Sequence, residues 1–298
     1  MERDRKRKLW KITAAVSAGI LVILAAVLIR KYMPTGQKMS GYDYFKTDSA
    51  AENDSTLVIL DNEILYDKGR YIDGRLYLQQ SFVQDNVNMR FYYDKESNAV
   101  LYSDWSAVYT YYPDVKGYRD QNGNTYDTEY EVIKMADGVI YIDFEYMAAV
   151  SNISYEYAKE PQRLVLHTTH EEQNEVTIRK NAVVRYRAGI KSKVLEKVKK
   201  GTVCQYVGAV DDDWIEVITP SGYQGYVKKN AASDVYTAVP EDTYTEEYQS
   251  NLCGYKVNMT WFQVTQRAAN AYIDTYLEDV SGINTISPTW YSIADGTG

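Results

Sequence analysis

The chain is poor in the residues from which reactive centres are built: of its 298 residues, two are cysteine and two are histidine. A structural zinc site normally takes four N or S ligands, and a disulfide scaffold takes several cysteine pairs, so the material for either is missing. The one cluster of metal-ligand type is His167-Thr-Thr-His170. Residues three apart on a strand point to opposite faces, so the pair reads as a solvated strand end, and neither a metal nor another cofactor is expected. Gly-x-Ser-x-Gly and His-Glu-x-x-His, the marks of a nucleophile elbow and of a zinc protease helix, do not occur in the sequence. Phe and Trp are scarce as well, at five each.

Tyrosine is what the chain has instead, with 30 copies. A ring with a polar tip suits half-buried strands and polar binding surfaces, which leans the reading toward β structure. Hydrophobic residues at 45% and charged residues at 25% exclude a mainly disordered or fibrous protein. The length allows about two or three modest domains. The net charge of −8 is unevenly spread: residues 1–31 carry +6 and the remainder −14. An acidic body repels phosphate backbones, so nucleic acid is excluded as a partner.

Residues 12–29 form an uncharged run, ITAAVSAGILVILAAVLI. With its flanks it makes a segment, 12–32, long enough to cross about 30 Å of hydrocarbon as a helix, with Lys11 snorkelling to the headgroups. The basic tail 1–11 precedes it, so the amino end is expected in the cytoplasm and the main body outside the cell. A cleaved signal peptide has a shorter core ending at a small-x-small site. Here the core ends Leu28-Ile29-Arg30-Lys31-Tyr32, so a retained single-pass anchor in the cell membrane is expected. Residues 33–55 are polar, have no apolar period and read as a linker.

The stretch 56–170 contains a repeat. At a constant offset of 64, Asp73-Gly74-Arg75-Leu76-Tyr77-Leu78 meets Asp137-Gly138-Val139-Ile140-Tyr141-Ile142. In the same register Asn88 meets Asn152, Phe91 meets Tyr155, Tyr93 meets Tyr157 and Val100-Leu101 meets Leu164-Val165. Each copy reads as an Asp-Gly turn, a strand, a helical or irregular segment, and two more strands. Each has an apolar face to bury, most simply against the other, giving one α+β or mostly β domain. These residues resemble the copper amine oxidase N-terminal-like (stalk) domain of secreted proteins of Gram-positive bacteria. The resemblance implies a spacer or binding module with no copper site.

Residues 174–234 change style, with six short strands separated by turn signals at Ala188-Gly189, Lys200-Gly201, Asp211-Asp212-Asp213 and Pro220-Ser221-Gly222. That spacing indicates a small barrel. Val184-Arg185, Lys200-Gly201, Asp213-Trp214-Ile215-Glu216-Val217 and Gly222-Tyr223-Gln224-Gly225-Tyr226-Val227 resemble a bacterial SH3-like (SH3b) domain. The resemblance implies recognition of peptidoglycan through an aromatic surface. Tyr186, Trp214, Tyr223 and Tyr226 are the candidate contacts, with core packing of Trp214 and Tyr226 as the competing reading. Cys204 reads as a buried thiol, and a pairing with Cys253 stays open.

Residues 235–253 read as an acidic linker. After it comes a strand-like run at 255–261, a helical pattern at 268–277 and a second strand at 283–290, a βα unit of a parallel sheet. Trp261 and the run Gly282-Ile-Asn-Thr-Ile-Ser-Pro-Thr-Trp290-Tyr291 resemble the opening of a family 18 glycoside hydrolase, a chitinase-like (β/α)₈ barrel. The resemblance implies action on N-acetylglucosamine polymers, with Trp261, Trp290 and Tyr291 lining a substrate groove. The family's acid glutamate, at the end of a run of spaced aspartates, does not occur in this sequence, so no catalytic residue is assigned. Segment 254–298 is expected to be the first two strands of a barrel that continues past Gly298.

The expected fold is therefore multidomain, mainly β and α+β: a transmembrane helix, a duplicated stalk-like domain, an SH3-like β-barrel and the start of a (β/α)₈ barrel. The expected function is a membrane-tethered extracellular protein that binds peptidoglycan or a related N-acetylglucosamine polymer and, in full-length form, hydrolyses such a glycan. The alternative is a non-catalytic envelope-binding or scaffold protein.

Overall fold

A helix of 31 residues, α1 (Glu2–Tyr32), opens the chain. No proline interrupts it, and Ala, Leu, Ile and Val fill its second half. Its stretch Thr13–Tyr32 is long and apolar enough to cross a membrane, with a mean hydropathy of 2.2 and no burial against the rest of the protein. The structure is a computed structural model that describes residues 2–47, 54–245 and 254–290. It divides into two units, Met1–Glu246 and Glu247–Gly298.

Within the first unit a short helix, α2 (Gly41–Phe45), is followed by β1 (Ser55–Leu60), β2 (Glu63–Ile72), β3 (Arg75–Gln79), α3 (Gln80–Asn86), β4 (Phe91–Asp94) and β5 (Ala99–Ser103). Then come β6 (Val108–Tyr111), β7 (Lys116–Asp120), β8 (Thr125–Glu131), β9 (Ile133–Ala136), β10 (Val139–Asp143), α4 (Phe144–Ala149), β11 (Ser154–Ala158) and β12 (Arg163–His167). Displaced by 64 residues, β3, α3, β4 and β5 fall on β10, α4, β11 and β12. Each copy opens on a two-residue turn, Asp73-Gly74 or Asp137-Gly138, with positive φ at both positions, the hairpin geometry whose twist matches its strands. Strands β3 and β10 pair antiparallel with Leu78 opposite Ile142, so a local two-fold axis relates the copies.

The hairpins of the two copies then part. β11 and β12 complete a seven-stranded sheet of order β11-β12-β1-β2-β3-β10-β9, while β4 and β5 begin a five-stranded sheet running β4 to β8. Both copies contribute to one apolar core, which includes Leu78, Phe82, Phe91, Val100, Ile142, Phe144, Met147 and Leu164. Two of the buried tyrosines keep a partner for the hydroxyl: Tyr77 donates to the Glu131 carbonyl at 2.7 Å, and Tyr111 shares a hydrogen bond with Tyr146.

The SH3-like region comprises β13 (Gln173–Thr177), β14 (Ala182–Arg185), β15 (Val194–Val198), β16 (Val203–Ala209), β17 (Trp214–Ile218), β18 (Gln224–Lys228) and β19 (Tyr236–Ala238). They form a seven-stranded sheet of order β15-β14-β18-β17-β16-β13-β19, bent by register shifts after Val184 and Tyr206. These pairings show a continuous sheet and do not by themselves show closure of the expected SH3-like barrel. β19 lies along β13, and on the other side Lys38 bridges to Val194 of β15.

Both segments expected as linkers carry ordered structure. In 33–55, Phe45 of α2 is fully buried, and Met39 and Val194 join by a backbone hydrogen bond of 2.8 Å. In 235–253, β19 is a strand, and Thr243 binds back to Asn152 and Ile153 at 2.8 and 2.7 Å. Polar composition hid both segments, since each is held by a few anchors and not by an apolar period.

A second core joins the SH3-like region to the duplicated one, with Val176, Val184, Val217 and Tyr223 packed against Phe45, Leu57, Ile59 and Val165. The parallel pair β1–β12 makes this possible. Val58, Leu164 and Leu166 face the first core, and Leu57, Ile59 and Val165 the second, so both strands are covered on two faces and carry continuous apolar runs. Gly222 marks how close the approach is: at φ +85° a Cβ would lie 2.5 Å from Ile59 Cδ1.

The second unit holds β20 (Met259–Phe262), a 3₁₀ turn (Arg267–Tyr272), α5 (Ile273–Leu277) and β21 (Thr285–Pro288). β20 and β21 pair in parallel, Trp261 opposite Ser287. Asn258 and Asn284 brace the strand starts: the Asn258 amide donates to Asn284 Oδ1 at 2.8 Å, and the Asn284 amide donates to the Asn258 carbonyl at 3.0 Å.

Candidate aromatic binding surface

Strand β18 lies between β14 and β17, which sets Tyr226 opposite Arg185 on one side and Glu216 on the other. Tyr186 follows β14 directly and is 43% exposed. The third ring comes from outside the sheet. Ser40 caps α2 by accepting from the Tyr42 amide at 3.2 Å, and the short helix lays Tyr44 against β18. The Tyr44 hydroxyl donates to the Gln224 carbonyl at 2.9 Å and accepts from the Gln224 amide at 3.0 Å, so it pairs with the strand as a neighbouring backbone would. Its ring meets Tyr186 edge-on at 6.4 Å. Gln224 Nε2 donates to Glu216 Oε1 at 3.0 Å and fixes the carboxylate.

Burial raises the pKa of both Tyr44 and Tyr226, and Glu216 pushes Tyr226 in the same direction, so both phenols hold their protons at neutral pH. The patch thus offers three amphipathic rings, one carboxylate and one amide on rigid backbone. Such a surface can stack on sugar or peptide and exchange hydrogen bonds with it at little rotamer cost.

The other two rings expected here are buried. Trp214 is 6% exposed, with Lys228 Nζ 5.3 Å from its ring centre, and Tyr223 is 7% exposed. Tyr223 packs against Phe45 at 4.9 Å and under the Arg163 guanidinium at 4.8 Å. Tyr223 belongs to the core that fills the sheet's interior, whereas Trp214 is buried outside that core, in register with Lys228. Arg163 is itself buried, which lowers its pKa; Nε donates to the Ser221 carbonyl at 2.6 Å, and Nη1 to Lys159 and Pro161 carbonyls at 3.0 and 3.1 Å. Tyr44, Glu216 and Gln224 escaped the sequence reading, although Ser40 ahead of Tyr42, Tyr44 and Phe45 is a helix-start signal.

Among the remaining candidates, His167 and His170 turn to different acids. His167 Nδ1 lies 3.7 Å from Asp61, and His170 Nε2 4.0 Å from Asp242. No group of three His, Cys, Asp or Glu side chains is placed to hold a metal among the described residues. Cys204 is buried and its thiol is pushed up to about 12, mainly by burial; Cys253 lies outside the described residues. In the second unit Trp261 is 78% and Trp290 58% exposed, and Trp290 Nε1 donates to Asn270 Oδ1 at 2.9 Å. Tyr291 lies outside the described residues.

Residues 180–234 match the family described as Bacterial SH3 domain. No curated protein and no solved structure matches the chain.

Proposed function

We propose that this chain is an envelope protein, held in the membrane by α1, that binds peptidoglycan outside the cell through the surface of Tyr44, Tyr186 and Tyr226. The observation that carries the reading is the coincidence of that aromatic patch with the segment matching the bacterial SH3 family, whose members generally bind cell-wall peptidoglycan. The long apolar helix supports an envelope location. Co-sedimentation of the detergent-solubilised chain with purified peptidoglycan at moderate salt tests it. The chain is expected in the pellet, and Tyr186→Ala with Tyr226→Ala is expected to release it. Wild-type chain that stays in the supernatant overturns the proposal.

The finer reading adds a glycan-hydrolysing module, for which the resemblance of 254–298 to the opening of a family 18 glycoside hydrolase is the support. The parallel β20–β21 pair is compatible with a (β/α)₈ start, with Trp261 and Trp290 near the strand C-termini, where such barrels place their sites. In the same reading 56–170 is the amine-oxidase-like stalk. Release of soluble N-acetylglucosamine oligomers by the full-length gene product tests the hydrolytic part, and an intact polymer rejects it. The second reading is a non-catalytic scaffold, which the match of 180–234 to the bacterial SH3 family supports without a further module. A stable, protease-resistant 254–298 segment in this chain would support it.

A further inference from the structure

The chain leaves α1 straight into the SH3-like sheet. Lys191 Nζ donates to the carbonyls of Arg30 and Met33 at 2.5 and 2.6 Å, and so caps the helix end from a distant loop. The Thr35 amide donates to the Ile190 carbonyl at 2.8 Å, and Arg185 Nη1 bonds the Thr35 carbonyl at 3.0 Å and the Ser192 carbonyl at 2.6 Å. The Val194 amide then donates to the Gln37 carbonyl at 2.8 Å. The β14–β15 hairpin is therefore stitched to the last turn of the apolar helix.

The charge around this junction differs from the rest of the body. Segments 30–39 and 185–194 carry Arg30, Lys31, Lys38, Arg185, Arg187, Lys191 and Lys193 and no Asp or Glu, in a chain whose residues beyond 31 sum to −14. Arg185 is buried in the hydrogen bonds above, and the other six are exposed. If α1 spans the bilayer, these six form a ring at the depth of the lipid headgroups.

We propose that this ring is a docking surface for anionic phospholipid headgroups, and that it holds the SH3-like sheet down on the membrane. The inference rests on the anchor reading of α1. It adds the lipid class, and it adds that the aromatic surface works close to the bilayer instead of at the end of a spacer. Each basic side chain near an anionic surface strengthens association roughly five-fold, and salt screens the effect within about 10 Å.

The experiment uses the full chain in nanodiscs of phosphatidylcholine alone or of phosphatidylcholine with phosphatidylglycerol, and reads amide exchange over 33–39 and 186–194. Exchange there is expected to slow roughly ten-fold in the anionic discs, and 0.5 M salt to remove the difference. Lys191→Glu is expected to abolish it. Lys38→Glu with Lys193→Glu, which leaves the helix cap intact, is expected to reduce it. Equal exchange in the two lipids, or slowing that survives both variants, overturns the proposal. Flotation with neutral vesicles at high salt tests the anchor separately. Chain that floats but shows equal exchange rejects the ring and leaves the anchor standing. Chain that floats only with anionic vesicles rejects the anchor and, with it, the ring.

Discussion

Leu78 stands opposite Ile142 across the β3–β10 pair, and each occupies in its own copy the place the other holds in the second. The ion pairs beside them obey the same symmetry. Arg70 reaches Asp137 at 2.6 Å and Lys134 reaches Asp73 at 2.9 Å, and those four positions are two repeat-related pairs exchanged across the axis. Exposed pairs of this kind add at most about 1 kcal/mol each, so the apolar contact and not the charges holds the copies together.

Leu78→Ala and Ile142→Ala are each expected to cost about 2–5 kcal/mol, and the double variant less than the sum, since the two share one cavity. Urea denaturation of the four proteins checks this. Strict additivity would show that the two side chains do not act on a common core.

Arg75 carries a different load. It holds Asp143 by two bonds of 2.7 and 2.9 Å, reaches Glu145 at 2.9 Å and lies 3.6 Å from the centre of the Tyr130 ring. Asp143 is fully buried and also caps α4 through the Tyr146 amide at 2.9 Å. Arg75→Ala is expected to cost about 3 kcal/mol by leaving that carboxylate without its counter-charge, and Arg75→Met with Asp143→Asn to recover part of the loss. Thermal denaturation measures both.

The four tyrosine and tryptophan candidates of the SH3-like region should separate by assay. Tyr186→Ala and Tyr226→Ala are expected to weaken peptidoglycan binding by about ten-fold or more while the melting temperature changes little. Trp214→Ala is expected to lower stability by about 3–5 kcal/mol. Loss of binding without loss of stability in Trp214→Ala would place Trp214 back on the surface.

Much of this organisation was readable in advance, and the misses have a common cause. Periodicity and turn chemistry act locally, so the Asp-Gly turns, the 64-residue offset and strands such as 182–185, 194–198 and 214–218 are visible in the residues themselves. What Phe45, Tyr44 and Arg163 do is set by partners more than 50 residues away, among them Tyr223, Gln224 and Ser221. Composition labels the surroundings of Tyr44 and Phe45 as linker because no local pattern records a distant socket. Tyr223 illustrates the limit in the site: in the sequence it looks like a surface ring, and the packing of Tyr44 and Phe45 of α2 and of Arg163 against it hides it.

His167 gives a pH signature. Burial lowers its pKa below the ordinary 6.5, with Asp61 opposing the shift. A base whose folded pKa is depressed contributes stability that is complete above the unfolded value and is lost as pH falls from there toward the folded one. The stability of the wild type is therefore expected to decline from about pH 6.5 downward. His167→Gln should flatten that part of the curve, and denaturant midpoints at half-unit steps would reveal it. An unchanged slope would mean that the imidazole is as well solvated folded as unfolded.

The parallel pair β1–β12 is a party wall, and it limits how this chain can be cut. Dividing the polypeptide near residue 170 to obtain either half alone strips one side of that wall, leaving Leu57, Ile59 and Val165 wet in one fragment and Tyr223 and Val217 wet in the other. A nick there should therefore give two sticky pieces that re-associate on mixing, and not two independent modules.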